Sequence, residues 1–308
     1  AQNVLALRYA VSTLLEDYFG VMYLNVGEIS YPHILNWPKI KIHKLYTPAF
    51  PFRFPHFRGR YDKEFTQWHK NSTFDNWGMF VHTFNKLVPP EVYYEENSEY
   101  FALVSGRRLA DGQLCLSNEK VIKLLIENLG KEIAKAPEKK YWSVSQNDCY
   151  NYCECADCQK LYDEYGSFSG AYIDMANQIA SVYPNCQIST LAYQFTRSAP
   201  KKIRPLPNVN IMFCSIECNR SMPLDKDHRS AGFVKDMKDW NQISDNIFMW
   251  DYVVQFKNYL TPFPNFPVLQ SNIQFFANHH VDMMFQQGSS GNWSDLSELK
   301  QCLIAKLL

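Results

Sequence analysis

The sequence has no surplus of charge of either sign. Its 31 basic and 31 acidic side chains are well mixed and give a formal net charge of zero, which argues against nucleic acid or an anionic membrane surface as the main partner. No apolar run approaches the length needed to cross a bilayer, so no membrane span is expected. No Gly-rich phosphate turn follows any candidate strand, which weakens a doubly wound nucleotide-binding sheet. No Ser-His-Asp arrangement is in sight. The chain starts Ala1-Gln2-Asn3 with neither an initiator Met nor a signal-peptide pattern. It therefore reads as a fragment, or as a mature chain whose leader was removed.

What is present points to a globular protein. With 308 residues and 46% hydrophobic side chains, the chain can bury the core of one large domain, or of a domain with a smaller appendage. Aromatic residues reach 15%; they suit a large core or a carbohydrate site, because sugar rings stack on aromatic faces. Nine cysteines, an odd number, leave at least one thiol outside any intramolecular disulfide set.

Val4, Leu7, Val11, Leu14, Leu15 and Tyr18 recur at helical spacing, Gly20 marks a stop, and Val21 to Leu24 reads as a strand. A helix and one strand cannot bury both faces alone, so residues 1–45 are expected to be the remnant of a small α/β domain. From Thr47, Pro48, Pro51 and Pro55 alternate with Phe50, Phe52, Phe54 and Phe57, a run suited to an edge or first strand. Residues 77–84 and 100–105 are further strand candidates. Ser117 or Asn118 caps a helix over 119–135, whose Val121, Ile122, Leu125, Leu129 and Ile133 share one face. Five short apolar runs then stop on polar residues: 141–147, 187–193, 209–215, 247–252 and 281–286. Helical patterns at 170–182, 231–243, 267–278 and 294–307 fill most gaps; the basic, proline-containing stretch 194–208 does not support a helix. This rhythm predicts right-handed crossovers and a parallel sheet. Eight strands over 46–308 predict an α/β fold of the (β/α)8 TIM-barrel type.

In such a barrel the C-terminal strand ends converge on one face, where catalytic groups sit. They deliver His82, Asn147, Asp148, Tyr193, Glu217, Trp250, Asp251, Tyr252, Gln286 and Gln287. Three carboxylates among aromatics and amides suit glycoside hydrolysis. That chemistry needs one carboxyl to protonate the leaving oxygen and a second group to stabilise or capture an oxocarbenium-like centre. Asp148 and Glu217 lead as catalytic candidates with Asp251 beside them. Asn147, His82, Trp77, Tyr193, Trp250, Tyr252 and Gln286 would line the sugar subsite. Each has a plainer reading: Asp148 as a loop cap, Glu217 as an ion-pair partner, Asp251 as structural, His82 as a satisfied core histidine. No cofactor is required for such catalysis.

Cys149, Cys153, Cys155 and Cys158 have the spacing C-x3-C-x-C-x2-C, and Cys214 with Cys218 has C-x3-C. Thiolates this dense can hold zinc tetrahedrally and stabilise a loop without a core of its own. Disulfides and free buried thiols are the alternatives, and the spacing is not that of a zinc ribbon. Cys218 or Cys115 could complete a structural zinc set with Cys153, Cys155 and Cys158. A catalytic zinc would want His or Glu ligands and an open position.

The segments WGMFVHTF (77–84), EYFALVSGRRLADGQLCLSN (99–118), SVSQND (143–148) followed by CECADC (153–158), CSIEC (214–218), MWDY (249–252) with LTPFPN (260–265), and FQQG (285–288) occur in that order. Together they resemble a family of bacterial glycan-degrading proteins long labelled as a domain of unknown function. That family is associated with glycoside hydrolase family 163, endo-β-N-acetylglucosaminidases acting on N-glycans. The opening helix resembles the end of the small domain that precedes the barrel in hexosaminidases and α-glucuronidases. The resemblance implies a secreted, periplasmic or cell-surface protein whose partner is a glycan or glycoprotein. It further implies cleavage at N-acetylglucosamine, with the substrate's acetamido oxygen as nucleophile. Gln286 stands where the family pattern has Glu (FEQG). A non-catalytic carbohydrate-binding barrel and an α-glucuronidase-like specificity are the competing implications.

Overall fold

The computed structural model describes residues 4–33, 39 and 41–308. Residues 1–3, 34–38 and 40, part of the segment read as a small-domain remnant, lie outside the described residues. The chain opens with helix α1 (Val4–Phe19), which ends at left-handed Gly20, and a hairpin of β1 (Met22–Asn25) and β2 (Glu28–Ser30). There follow β3 (Phe52–His56), α2 (Lys63–Trp68), β4 (Trp77–Met79) and the short helices α3 (Phe84–Leu87) and α4 (Pro90–Tyr93). Next come a second hairpin of β5 (Leu103–Val104) and β6 (Arg107–Arg108), then α5 (Glu119–Lys135) and β7 (Tyr141–Ser143). The rest comprises α6 (Ala156–Tyr165), α7 (Phe168–Val182), β8 (Gln187–Ala192), β9 (Val209–Cys214) and α8 (Ala231–Asn241). β10 (Ile247–Tyr252), α9 (Phe266–Ala277), β11 (Met283–Gln287) and α10 (Ser297–Leu307) complete it.

The architecture is mixed α/β with a seven-stranded sheet in the order β3-β11-β10-β9-β8-β7-β4. The pairs β3/β11, β4/β7, β7/β8 and β8/β9 are parallel, as the strand–helix alternation predicts. The predicted eighth strand, residues 100–105, is absent from this sheet. Ser105 and Gly106 both take positive φ, +48° and +79°, the conformation of a two-residue hairpin turn. The apolar run therefore folds back on its own continuation, pairing Leu103 with Arg108 and Val104 with Arg107. β4 bonds directly to β7, Trp77 opposite Tyr141, which leaves no slot between them.

The chain forms two compact units, one of Ala1–Thr73, Cys218–Arg229 and Met249–Leu308, the other of Phe74–Glu217 and Ser230–Phe248. In the first, β3 and β11 stack Phe54 on Phe285 with ring centroids 5.6 Å apart. The β1 hairpin joins this unit through Tyr23, whose ring meets Phe65 at 5.5 Å and whose carbonyl accepts from His69 at 2.8 Å. In the second, the indole of Trp142 is fully buried against Gly78. A Cβ at Gly78 would approach that ring to 2.3 Å, so only glycine fits. Helix α5 keeps its predicted bounds: Asn118 accepts from the Lys120 N–H at 3.0 Å, and Val121, Ile122, Leu125 and Leu129 are buried while Ile133 is half-buried.

Candidate active site

The second unit builds its site where β7 and β8 end. Beyond Ser143 the backbone stays extended, with the Val144 N–H donating to the Ser189 carbonyl at 2.8 Å. A polar lattice ties it to the loop after β4. Thr83 Oγ1 donates to the Ser143 carbonyl at 2.9 Å, the Ser145 N–H donates back to Thr83 Oγ1 at 3.1 Å, and the His82 N–H donates to Ser145 Oγ at 3.0 Å. His82 sits at φ +56°, and its Nδ1 lies 2.8 Å from the Gln146 carbonyl. A carbonyl only accepts, so Nδ1 carries the proton and Nε2 of the neutral ring is an acceptor. The ring tilts toward Tyr193, centroids 6.2 Å apart.

Asp148 is exposed at the end of this path, and the Tyr193 hydroxyl donates to its Oδ1 at 3.2 Å. Burial, and after it the Asp148 charge, push the Tyr193 hydroxyl well above its ordinary pKa, with the Glu217 charge adding to the effect. The phenol thus remains a donor at any physiological pH. Asn147 holds scaffolding instead of facing outward: its Nδ2 donates to Asn85 Oδ1 and to the Gly112 carbonyl, both at 2.8 Å.

The backbone around Asp148 is fixed by Gln113, which is completely buried. Gln113 Oε1 accepts from the Asn147 N–H at 2.9 Å, while Nε2 donates to the Asn147 carbonyl at 2.9 Å and the Cys149 carbonyl at 2.8 Å. One amide therefore brackets the carboxylate on both sides.

Glu217 follows β9 and pairs with Arg197, Oε2 to Nη1 3.3 Å. The other edge of the same guanidinium binds the buried Asp236, Nε to Oδ2 2.7 Å. Arg197 lies in the stretch 194–208, whose basic charge was visible in the sequence but whose partners were not. Trp77 stands at the N-terminal end of the sheet, in register with the first residue of β7. It stacks on Tyr141 at 4.9 Å and meets Phe248 edge-on at 5.8 Å. Strand polarity thus makes Trp77 part of an aromatic core, on the side opposite to Asn147 and Asp148.

The remaining predicted residues belong to the first unit. Asp251 is buried, with Arg220 Nη2 3.9 Å from its Oδ1. The Arg220 guanidinium also donates to the Tyr252 carbonyl at 3.1 Å and lies 5.5 Å over the Tyr252 ring. Trp250 Nε1 donates to Gln287 Oε1 at 2.6 Å and packs on Phe285 at 4.5 Å. Gln286 is fully buried and donates to Met284 Sδ at 3.2 Å. His56, at the tip of β3, was not singled out in the sequence. Its ring lies 5.0 Å from Phe285, and burial, with Arg60 nearby, lowers its pKa to about 4.

Of the two cysteine sets left open by the sequence, the structure gathers the one with Cys115. Sγ atoms of Cys115, Cys153, Cys155 and Cys158 all lie within 4.8 Å of one another. Cys115, not Cys218, is the fourth member: the bridge between Phe101 and Leu114 carries Cys115 alongside the loop after β7. Cys218 belongs to the first unit and is buried there. Spacing along the chain could not choose between Cys218 and Cys115, the latter 38 residues upstream of Cys153. Cys155 is the N-cap of α6 and Cys158 lies in its first turn.

Among solved structures, the chain is similar to a mutant O-GlcNAc hydrolase of Thermobaculum terrenum, at 11% identity over 84% of this chain and 60% of that one, with TM-score 0.43. It is also similar to the GH36 α-galactosidase of Geobacillus stearothermophilus in complex with raffinose, at 10% identity over 69% and 28% of the two chains, TM-score 0.38. A third similarity is to the tandem GH20 catalytic modules of a pneumococcal exo-β-D-N-acetylglucosaminidase, at 14% identity over 69% and 52%, TM-score 0.31. The chain thus spans under two thirds of the length of each. No curated protein matches it. The family described as domain of unknown function DUF4838 matches residues 27–308, nearly the whole chain, and the chain belongs to that family.

Proposed function

We propose that this chain is a glycoside hydrolase acting on N-acetylglucosamine-containing glycans of the N-glycan type, with retention and participation of the substrate's acetamido group. The observation that carries the reading is that Asp148, which accepts from the Tyr193 hydroxyl, and Glu217, paired with Arg197, follow β7 and β9, the strands on either side of the one that leads to Tyr193. Glu217 is paired with Arg197, which suits a fixed anion facing the positive charge that develops during cleavage. Asp148 is exposed, with only Oδ1 engaged by Tyr193, which suits the group that hands a proton to the leaving oxygen and later takes one from water. The Tyr193 hydroxyl, kept protonated, can also donate to an acetamido carbonyl, and His82 Nε2 can accept from a sugar hydroxyl. No cofactor takes part in these steps. A glycoprotein substrate fits a secreted, periplasmic or cell-surface setting.

The test is incubation with a complex N-glycoprotein and mass spectrometry of the released glycans. Wild type releases glycan. Asp148→Asn and Glu217→Gln each lose about 10²–10⁴-fold in kcat/KM while still binding glycan. Glycan binding with no release by wild type would establish a carbohydrate-binding protein instead.

A further inference from the structure

We propose that Cys115, Cys153, Cys155 and Cys158 bind one zinc ion in a closed, structural site. Zinc–thiolate bonds of about 2.3 Å in a tetrahedron set the sulfurs about 3.8 Å apart along each edge. Cys115 Sγ lies 3.6 Å from Cys155 Sγ and 3.8 Å from Cys158 Sγ, and all four sulfurs fall within 4.8 Å of one another. Two disulfides would draw the sulfurs together in pairs, whereas Cys115 is nearly equidistant from two partners. An iron–sulfur cluster spreads its cysteines around a core of several metal atoms, wider than this set.

The surroundings fit thiolates bound to a cation. The Leu103 N–H donates to Cys153 Sγ at 3.3 Å, and Arg108 Nη1 lies 3.8 Å from the same sulfur. Ser117 Oγ is 3.2 Å from Cys158 Sγ and 3.4 Å from Cys115 Sγ. Backbone and side-chain donors of this kind orient metal ligands and offset the charge of an S4 site. The first-turn N–H groups of α6, next to Cys155 and Cys158, favour thiolate as well. No histidine or carboxylate belongs to the set, and a fourth thiolate leaves no open position for water, so the metal is not catalytic. Its role is mechanical. The segment 149–155 has no helix or strand, and the site ties it to the hairpin β5/β6 and to α6.

The experiment uses the whole chain, purified under reducing conditions from zinc-supplemented medium, with zinc measured by elemental analysis. The expected content is about one zinc per chain, lost on mercurial titration of the thiols. Replacement by Co(II) should give thiolate charge-transfer bands and the intense visible bands of a tetrahedral S4 site. Cys115→Ser and Cys153→Ser lose the stoichiometric zinc, and Cys186→Ser retains it. Ser117→Ala, which leaves every ligand in place, weakens zinc affinity by about 10-fold against a chelating indicator. Because wild type carries the metal and cobalt readouts, a misfolded variant does not decide the matter. Wild-type protein that holds no zinc and takes up none from zinc chloride would overturn the proposal. So would disulfides mapped among these four cysteines, iron with labile sulfide, or full zinc occupancy in Cys115→Ser.

Discussion

Replacing Gln113 tests whether one buried amide sets the position of Asp148. Gln113→Ala removes three hydrogen bonds to the backbone, two to carbonyls and one from the Asn147 N–H, and a longer one to Cys149 Sγ, at a side chain without exposure. At a net 0.5–1.5 kcal/mol each, the loss in stability is about 2–4 kcal/mol, read as a lower urea midpoint at unchanged slope. Hydrogen exchange in a peptide covering 147–151 should accelerate, because the backbone on both sides of Asp148 loses its anchor. If Asp148 shifts by about 1 Å, turnover falls about 10²-fold. Gln113→Glu is the sharper comparison. It keeps the acceptor for Asn147 but loses both donors and points a carboxylate at two carbonyl oxygens, so it should be at least as damaging as alanine. Asp148→Asn, in contrast, should lose turnover with little change in stability. If Gln113→Ala leaves the urea midpoint and the exchange of 147–151 unchanged, the amide does not hold this backbone and the reasoning fails.

Arg197→Ala strips the cation from Glu217 and leaves the buried Asp236 unpaired, which should cost about 3–5 kcal/mol in chemical denaturation; a loss below 1 kcal/mol would show that solvent replaces the guanidinium. Trp77→Ala should cost about 3–5 kcal/mol through the lost aromatic packing yet leave KM unchanged; a raised KM in a stably folded variant would return Trp77 to the sugar subsite. Burial lowers the pKa of His69 to about 4 from 6.5, so the folded state needs its ring neutral. As pH falls below 6.5 the unfolded chain takes up the proton first, so stability is full above that pH, declines between 6.5 and 4, and then levels off. His69→Asn should flatten that decline, and an unchanged pH slope would show that the ring is not what senses it.

Much of the fold was legible because local patterns and tertiary packing agree. Helix α5 has an Asn cap and a single apolar face, and strands β8, β9 and β10 are short apolar runs that stop on polar residues. Asn147 and Asp148 emerge where the end of the 141–147 run placed them. Residues 100–105 were misread because an extended apolar segment looks the same whether it joins the sheet or pairs with its own continuation; only the Ser105–Gly106 turn distinguishes the two. Helix α6 was hidden in the cysteine-rich stretch, although Gly166 at φ +74° supplies its stop. Arg197 and Gln113 were beyond sequence reasoning, because each acts on residues 20 or more positions away, and spacing alone left Cys115 and Cys218 as equal candidates for the fourth thiol.

The stretch that pairs with itself instead of joining the seven-stranded sheet has a consequence for how such a protein can change over time. Residues 101–117, which fold back as the β5/β6 hairpin and run on past it, supply Leu103, Arg108, Gln113, Cys115 and Ser117 to one neighbouring stretch, the loop after β7 and the first turn of α6. Each segment thus depends on the other for its hydrogen-bond and thiol partners. A graft of either one into a distant relative would carry half of a lock, while a graft of both would carry the aspartate with its setting.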